Sequence, residues 1–278
     1  MLRSLKDIDN SAIDATDGTI GHVKDFYFDD ASWTIRYLIV ETGSWLSSRR
    51  VLISPISVSD PPWADKTLPV GITTEQVKNS PDIDTHMPVS RQHEVEYFAY
   101  YGYPFYWEGG ALWGEGAYPN LLFPGYATFA TSTARQIKAE REFEKAQQAR
   151  HRNDDPHLRS CAAVAGSDIH AIDGDIGHVE GYLVDEETWA IRYLIVNTSN
   201  WWLGHKVLVA PRWIQAVSWE QARVTVNMSR QEIKDAPPYD PAIGLDRAQE
   251  MSMHSHYGRP GYWIDEIPVK VQAVETIR

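Results

Sequence analysis

Residues Asp17 to Val23 read DGTIGHV, and Trp33 to Val40 read WTIRYLIV. The same words return as DGDIGHV at Asp173 to Val179 and as WAIRYLIV at Trp189 to Val196. Both pairs are separated by 156 positions, and that offset runs without a gap from Leu2/Leu158 to Trp107/Trp263. Of the 106 positions aligned in this way, 37 are identical. Chance similarity does not hold one register for that long, so the chain reads as a tandem duplication.

Within each copy the pattern is that of β-structure. The Asp17-Gly18 turn separates Ile13 from the run Ile20 to Asp29, where β-branched and aromatic residues alternate with polar ones. A second turn at Asp29-Asp30 leads into Trp33 to Val40; Gly43 and Ser44 break that run, and Val51 to Ile53 resumes it before Pro55. Short β-rich runs with Gly, Asp and Pro punctuation, and no helical period between them, argue for antiparallel hairpins rather than βαβ units. Five or six such strands in about 80 residues close best as a small barrel, which removes the edges an open sheet exposes. The expected fold is all-β with minor helices: two tandem six-stranded barrels, paired about an internal two-fold and joined by an aromatic-rich loop and a helix. The expected division is a first barrel at 1–85, an extension and connecting helix at 86–156, a second barrel at 157–240 and a C-terminal extension at 241–278.

Outside the barrels, Thr73 to Lys78 (TTEQVK) and Ser229 to Lys234 (SRQEIK) carry the Ser/Thr-x-x-Glu/Gln start of a helix. Pro81 and Pro237-Pro238 are set to end those helices within a turn or two. Tyr97 to Tyr126 holds 12 of the 32 aromatic residues and six of the 18 glycines without any period, which predicts an irregular loop. Thr131 to His157, rich in Ala, Arg, Glu, Lys and Gln, favours a solvated connecting helix.

Composition narrows the function classes. With 38 Asp+Glu against 26 Lys+Arg the formal net charge is −12, which argues against a nucleic-acid binder that must displace counterions with clustered cations. A single cysteine, Cys161, leaves no internal disulfide framework and no Cys-based zinc finger, and its alignment with Leu5 suits a small buried hydrophobe. No apolar run approaches the ~20 residues of a membrane helix. The N-terminus turns acidic without an apolar core, so a cytoplasmic protein without a secretory signal is expected.

The order DGxIGHV, acidic turn, WxIRYLIV, then Trp45-Leu46 and Arg49-Arg50-Val51-Leu52-Ile53-Ser54-Pro55 resembles the PRC-barrel domain. The later copy matches with Trp201-Trp202-Leu203-Gly204-His205-Lys206-Val207-Leu208-Val209-Ala210-Pro211. The run Tyr100 to Trp107 and Pro238-Tyr239-Asp240 look like the subset found in proteobacterial tandem PRC-barrel proteins. The resemblance implies six-stranded barrels that bind or position partners. Related domains cap the quinone-binding subunits of the photosynthetic reaction centre, as its H subunit, and contact a ribosomal protein during ribosome maturation. The function so implied is a non-enzymatic binding, assembly or regulatory adaptor with an unidentified protein partner. The alternative is a regulator of electron transfer at a photosynthetic or quinone-binding membrane complex, touching the inner membrane peripherally. The oligomeric expectation is a monomer or homodimer.

Individual residues support no catalytic, cofactor or metal site. His22 and His178 each follow a turn glycine on a strand and lack a carboxylate or thiol at ligand spacing. His254 and His256 with Met251 and Met253 are a weak copper pattern, since the aligned Phe98 and Tyr100 suit packing. Asp17-Gly18 and Asp173-Gly174 are hairpin chemistry, not a phosphate loop. Arg36 and Arg192, amid strand residues, are expected to form structural ion pairs. The candidate interaction surface comprises the basic-aromatic tips Trp45, Arg49, Arg50, Trp201, Trp202 and Lys206. It also takes in Tyr100, Tyr101, Tyr103, Phe105, Tyr106, Trp107 and Trp113 from the aromatic segment, with packing between the two barrels as the equal alternative.

Overall fold

A computed structural model describes residues 1–43, 46, 48–63, 66–81, 89, 91–124, 157–198 and 205–264. The chain opens with β1 (Leu2–Ser4), the one-turn helix α1 (Leu5–Ile8), β2 (Ala12–Ala15), β3 (Gly18–Asp29), β4 (Thr34–Thr42) and β5 (Arg50–Ile53). A 3-10 turn at Pro55–Ser57 leads to β6 (Thr67–Pro69), α2 (Thr74–Lys78) and α3 (Arg91–Tyr101). The later half follows the same order with β7 (Leu158–Ser160), α4 (Cys161–Val164), β8 (Asp168–Ala171), β9 (Gly174–Asp185), β10 (Ile191–Asn197) and β11 (Lys206–Val209). After a 3-10 turn at Pro211–Trp213 come β12 (Ile214–Ser218), β13 (Arg223–Val226), α5 (Arg230–Lys234) and α6 (Arg247–His256).

The result is mostly β, with two sheets and few helices. The first sheet runs β5-β4-β3-β2-β6 and the second β11-β10-β9-β8-β13-β12. Neither sheet is a closed barrel, contrary to the sequence expectation. β5 stops at Ile53 because Ser54 caps a 3-10 turn whose first residue, Pro55, has no N–H to give a ladder; beyond it Val58 makes one isolated bridge, to Val70. In the later half the same turn, at Pro211, separates β11 from β12. In the second sheet the edge strands β11 and β12 are joined through that short covalent turn; in the first, the chain just past the turn meets the β6 edge through Gly71 N–H donating to Ser57 O at 2.8 Å and Ser59 N–H donating to Pro69 O at 2.9 Å.

The first strand of each half sits in the other half's sheet. β1 pairs with β9 as Leu2↔Asp185, Arg3↔Val184 and Ser4↔Leu183, while β7 pairs with β3 as Leu158↔Asp29, Arg159↔Phe28 and Ser160↔Tyr27. The two registers are the same once one strand's numbers are raised by 156 and its partner's lowered by 156. Between them Thr34 bridges Ala190, Ile35 N–H donates to Trp189 O at 2.9 Å, and Ile191 N–H donates to Trp33 O at 2.7 Å. Trp33 and Trp189 sit at φ 52° and 58°, a left-handed backbone that bulky residues rarely adopt, so this junction holds them against local preference. Phe28 packs on Trp33 at 5.1 Å and on Tyr182 and Trp219 at 6.3 Å, joining the apolar interiors of the two sheets. With both faces covered, Thr34 to Val40 is buried at every position, and the alternation of a half-exposed strand disappears.

The repeated glycine and aspartate have separate reasons. A Cβ on Gly21 would lie 2.0 Å from Glu41 O, and one on Gly177 2.0 Å from Asn197 O, so the neighbouring strand excludes any side chain at both places. Asp17 Oδ1 accepts the Thr74 N–H at 2.7 Å and Asp173 Oδ1 accepts the Arg230 N–H at 2.7 Å. The aspartate of each turn thus satisfies a first-turn donor of the following helix. That hydrogen bond holds the Asp17 carboxyl below its usual range. α2 and α5 begin where the sequence predicts, each with a reciprocal capping box, on Thr73/Gln76 and Ser229/Glu232.

The aromatic segment is not irregular from its start. Tyr97 to Tyr101 is the last part of α3, laid over β4 so that Tyr97 and Phe98 meet Tyr37 edge-on at 5.3 and 6.4 Å. Aromatic burial against the sheet overrides a sequence with no helical period. The expected connecting helix falls on residues 131–156, outside the described residues.

Candidate binding site

Each half buries one carboxylate beneath its long helix. Glu94 on α3 is 0% exposed; its Oε1 accepts from Tyr37 Oη at 3.0 Å and Tyr106 Oη at 2.7 Å. Its Oε2 faces Arg91 Nη1 at 3.1 Å and His157 Nε2 at 2.9 Å. Arg36 lies 3.8 Å from the Tyr106 ring and pairs with Asp29 at 3.3 Å, the structural ion pair its strand position predicts. Burial pulls the Arg36 guanidinium below its usual range, against the pull of Tyr106 and Asp29.

In the later half Glu250 on α6 accepts from Tyr193 Oη at 2.8 Å and faces Arg247 Nη1 at 3.0 Å. Arg192 lies 4.0 Å from the Tyr262 ring and pairs with Asp185 at 3.0 Å. His254 Nε2 stands 2.9 Å from Tyr193 Oη. Burial raises the Glu250 carboxyl and lowers the His254 imidazole; burial and then Glu250 push the Tyr262 phenol up to about 12. Tyr37 and Tyr106 are pushed well above their usual value by burial and then by Glu94. These phenols stay protonated and donate to the carboxylates, so each centre ties its helix to the sheet.

The two centres differ in what covers them. Over the first lies a tight turn in which Ala111 N–H donates to Gly114 O at 2.9 Å and Trp113 N–H to Gly116 O at 2.8 Å. Gly114 adopts φ 71°, and a Cβ there would come 2.8 Å from Glu108 O. This tongue drives Trp113, 0% exposed, against Arg36 at 4.8 Å and Tyr106 at 6.2 Å. The indole N–H donates to Thr188 O at 2.8 Å, and Arg36 Nη1 donates to Leu112 O at 2.6 Å. The first centre is plugged by its own chain. The second borders two clefts that meet at Tyr262. One, of about 650 Å³, is walled by Asp185, Thr188, Arg247 and Glu250, with exposed Tyr118 and Ile243 on its rim. The other, of about 360 Å³, is walled by Ser32, Trp33, Arg192, Arg212, His254 and Tyr262.

The residues singled out from the sequence do not form one surface. Tyr101, Tyr103, Phe105, Tyr106 and Trp113 are buried, and Trp107 is half-buried under Arg91, whose guanidinium is 4.1 Å from its ring. They pack the chain's own interior. Tyr100 is 41% exposed and donates to Gln76 O at 2.8 Å. Arg49 Nη2 donates to Val77 O at 3.1 Å, closing the end of α2; Arg50 is exposed; Lys206 pairs with Glu180 at 2.5 Å. Trp45, Trp201 and Trp202 lie outside the described residues. His22 is exposed and His178 half-buried. His256 meets Glu232 O at 2.7 Å, while His254 is buried among Tyr193, Trp213 and Trp263, so the Met/His pattern does not converge. Burial pushes the Cys161 thiol far up, as suits an inert core residue. Glu94 and Glu250 carry no mark in the sequence beyond an Arg-x-x-Glu that recurs at the common offset.

Among the described residues no group of three His, Cys, Asp or Glu side chains is arranged to hold a metal ion, and no helix is long and apolar enough to cross a membrane. Residues 8–63 match the family model of the PRC-barrel domain. No curated protein matches the chain.

Proposed function

With a PRC-barrel domain at residues 8–63 as the premise, we propose that the chain is a non-enzymatic binding or assembly adaptor. In this reading it consists of two PRC-type modules made by duplication and locked together by their exchanged first strands. The later module receives a protein partner. The observation that carries this reading is the contrast, among the described residues, between the plugged centre at Tyr106 and the clefts at Tyr262, built from equivalent residues. One module has become the fixed support, and the other presents its mouth. Concave sites with a few convergent polar groups are where ligands and partner segments dock.

The test is capture from extracts of the source cell with the full chain, beside a Tyr118→Asp/Ile243→Asp variant altered only at exposed rim positions. A partner retained by the wild type and lost by the variant is expected. Equal retention by both, or none by either, would overturn the proposal. Co-sedimentation of the chain with a pigment or quinone-binding membrane complex would favour electron-transfer regulation instead.

A further inference from the structure

We infer that the smaller cleft is a socket for a tryptophan presented by an acidic segment of a partner protein. This rests on the binding-adaptor reading and specifies what the adaptor recognises. The first half displays the occupant. Trp113 is held there by the Arg36 guanidinium, the Tyr106 ring and the Thr188 carbonyl. The positions offset by 156 are Arg192, Tyr262 and Ser32, and all three wall the smaller cleft. An indole entering it meets a cationic plane at Arg192 and an aromatic wall at Tyr262, with Ser32, the counterpart of Thr188, beside them on the cleft wall. At about 360 Å³ the cleft is of a size to take one large side chain with its flanking backbone.

Residues 264–278 contain no Phe, Trp or Tyr, and the position offset from Trp113 is Val269. The charge of the occupant follows from what differs between the sockets. Arg212 lines the later cleft at the position aligned with Ile56, which adds a cation that the first socket lacks. The tongue that fills the first socket carries Glu108 and Glu115, on either side of Trp113 and both exposed. An acidic, tryptophan-bearing turn complements the later cleft in its cationic and aromatic walls and in charge.

The probe is a labelled peptide with the sequence of residues 108–117, titrated against the full chain by fluorescence anisotropy. Saturable binding is expected, weakened about tenfold or more when the peptide's tryptophan is replaced by alanine. Ala31 is exposed on the cleft rim, so its substitution leaves the interior intact. Ala31→Glu is expected to weaken the peptide several-fold and Ala31→Arg to strengthen it, both effects shrinking at high salt. Equal binding of the tryptophan and alanine peptides, or indifference to both Ala31 variants, overturns the socket. Self-association of the chain that the peptide competes away assigns the site to a second copy and overturns the partner assignment. If the peptide fails while partner capture still depends on Tyr118 and Ile243, the socket falls and the adaptor reading stands; if capture fails too, both fall.

Discussion

Arg159 Nε stands 2.9 Å from Asp30 Oδ2 while its guanidinium lies 4.7 Å from the Trp219 ring. One side chain on an exchanged strand is thus held between a carboxylate of the earlier half and an indole of the later. Arg3 repeats the arrangement with Glu186 and with Trp63, whose ring is 5.5 Å away. Both arginines are partly buried, so water screens these contacts less than a surface pair. Arg159→Ala is expected to cost about 1–3 kcal/mol, from the ion pair and the cation–π contact together. Calorimetry should show Tm lower by roughly 3–8 °C. A loss under about 0.5 kcal/mol would mean that the exchanged strands are held by backbone pairing alone.

The repeated glycine of the IGHV motif yields a sharper contrast. Any Cβ at Gly21 must displace the β4 backbone, since it would fall 2.0 Å from a carbonyl oxygen that cannot swing away. Gly21→Ala is expected to cost about 3 kcal/mol or more, at the severe end of single substitutions. Gly110→Ala is the matched control, because nothing lies within 4 Å of the place its methyl would take. It should stay within about 0.5 kcal/mol in urea unfolding. Comparable losses at both would refute the close-approach explanation.

Much of the fold is legible in the sequence because the repeat marks backbone constraints. Gly21/Gly177, Asp17/Asp173, Trp33/Trp189 and Arg36/Arg192 each recur at one offset, and each has a definite contact or backbone role in the structure. The strand exchange is not legible, because Leu-Arg-Ser opens both copies and satisfies either sheet equally. Barrel closure is misread because Pro55 and Pro211 look like simple strand ends, whereas each starts a 3-10 turn that interrupts the edge ladder. Glu94 is hidden because no helix is read from the sequence at 91–101; only the convergence of Tyr37, Tyr106, Arg91 and His157 explains its burial. Trp113 lies beyond the aligned region, so the repeat marks Arg36 and Tyr106 but not the ring they hold.

His254 supplies a pH test with a definite sign. Burial among Tyr193, Trp213 and Trp263 lowers its pKa, so between that value and 6.5 the unfolded chain binds more protons than the folded one. Its contribution to stability is present above about pH 6.5 and is lost as pH falls through that window. Glu250, raised by burial, acts in the opposite sense above its ordinary value, so the histidine is isolated by difference. His254→Phe places there the residue found at the aligned position Phe98. Urea unfolding from pH 5 to 8 should show wild type losing stability toward acid relative to the variant. A pH-independent difference would mean that His254 does not titrate against folding.

Trp113 closes the first socket and supplies the template for the second. Trp113→Ala should cost about 3–5 kcal/mol, the range for deleting a buried aromatic and leaving its cavity. Trp113→Phe should cost less, because a ring still faces Arg36 and only the N–H bond to Thr188 O is lost. A cavity shaped by an indole should accept one back: free indole at millimolar concentration is expected to raise the Tm of Trp113→Ala more than that of the wild type, by preferential binding to the folded state. Isotope-edited contacts from the bound indole to Arg36 and Tyr106 would place it. An equal rise in both proteins would show that the added ring does not reoccupy the site and that the Arg36–Tyr106 pair is not, by itself, a receptor for it.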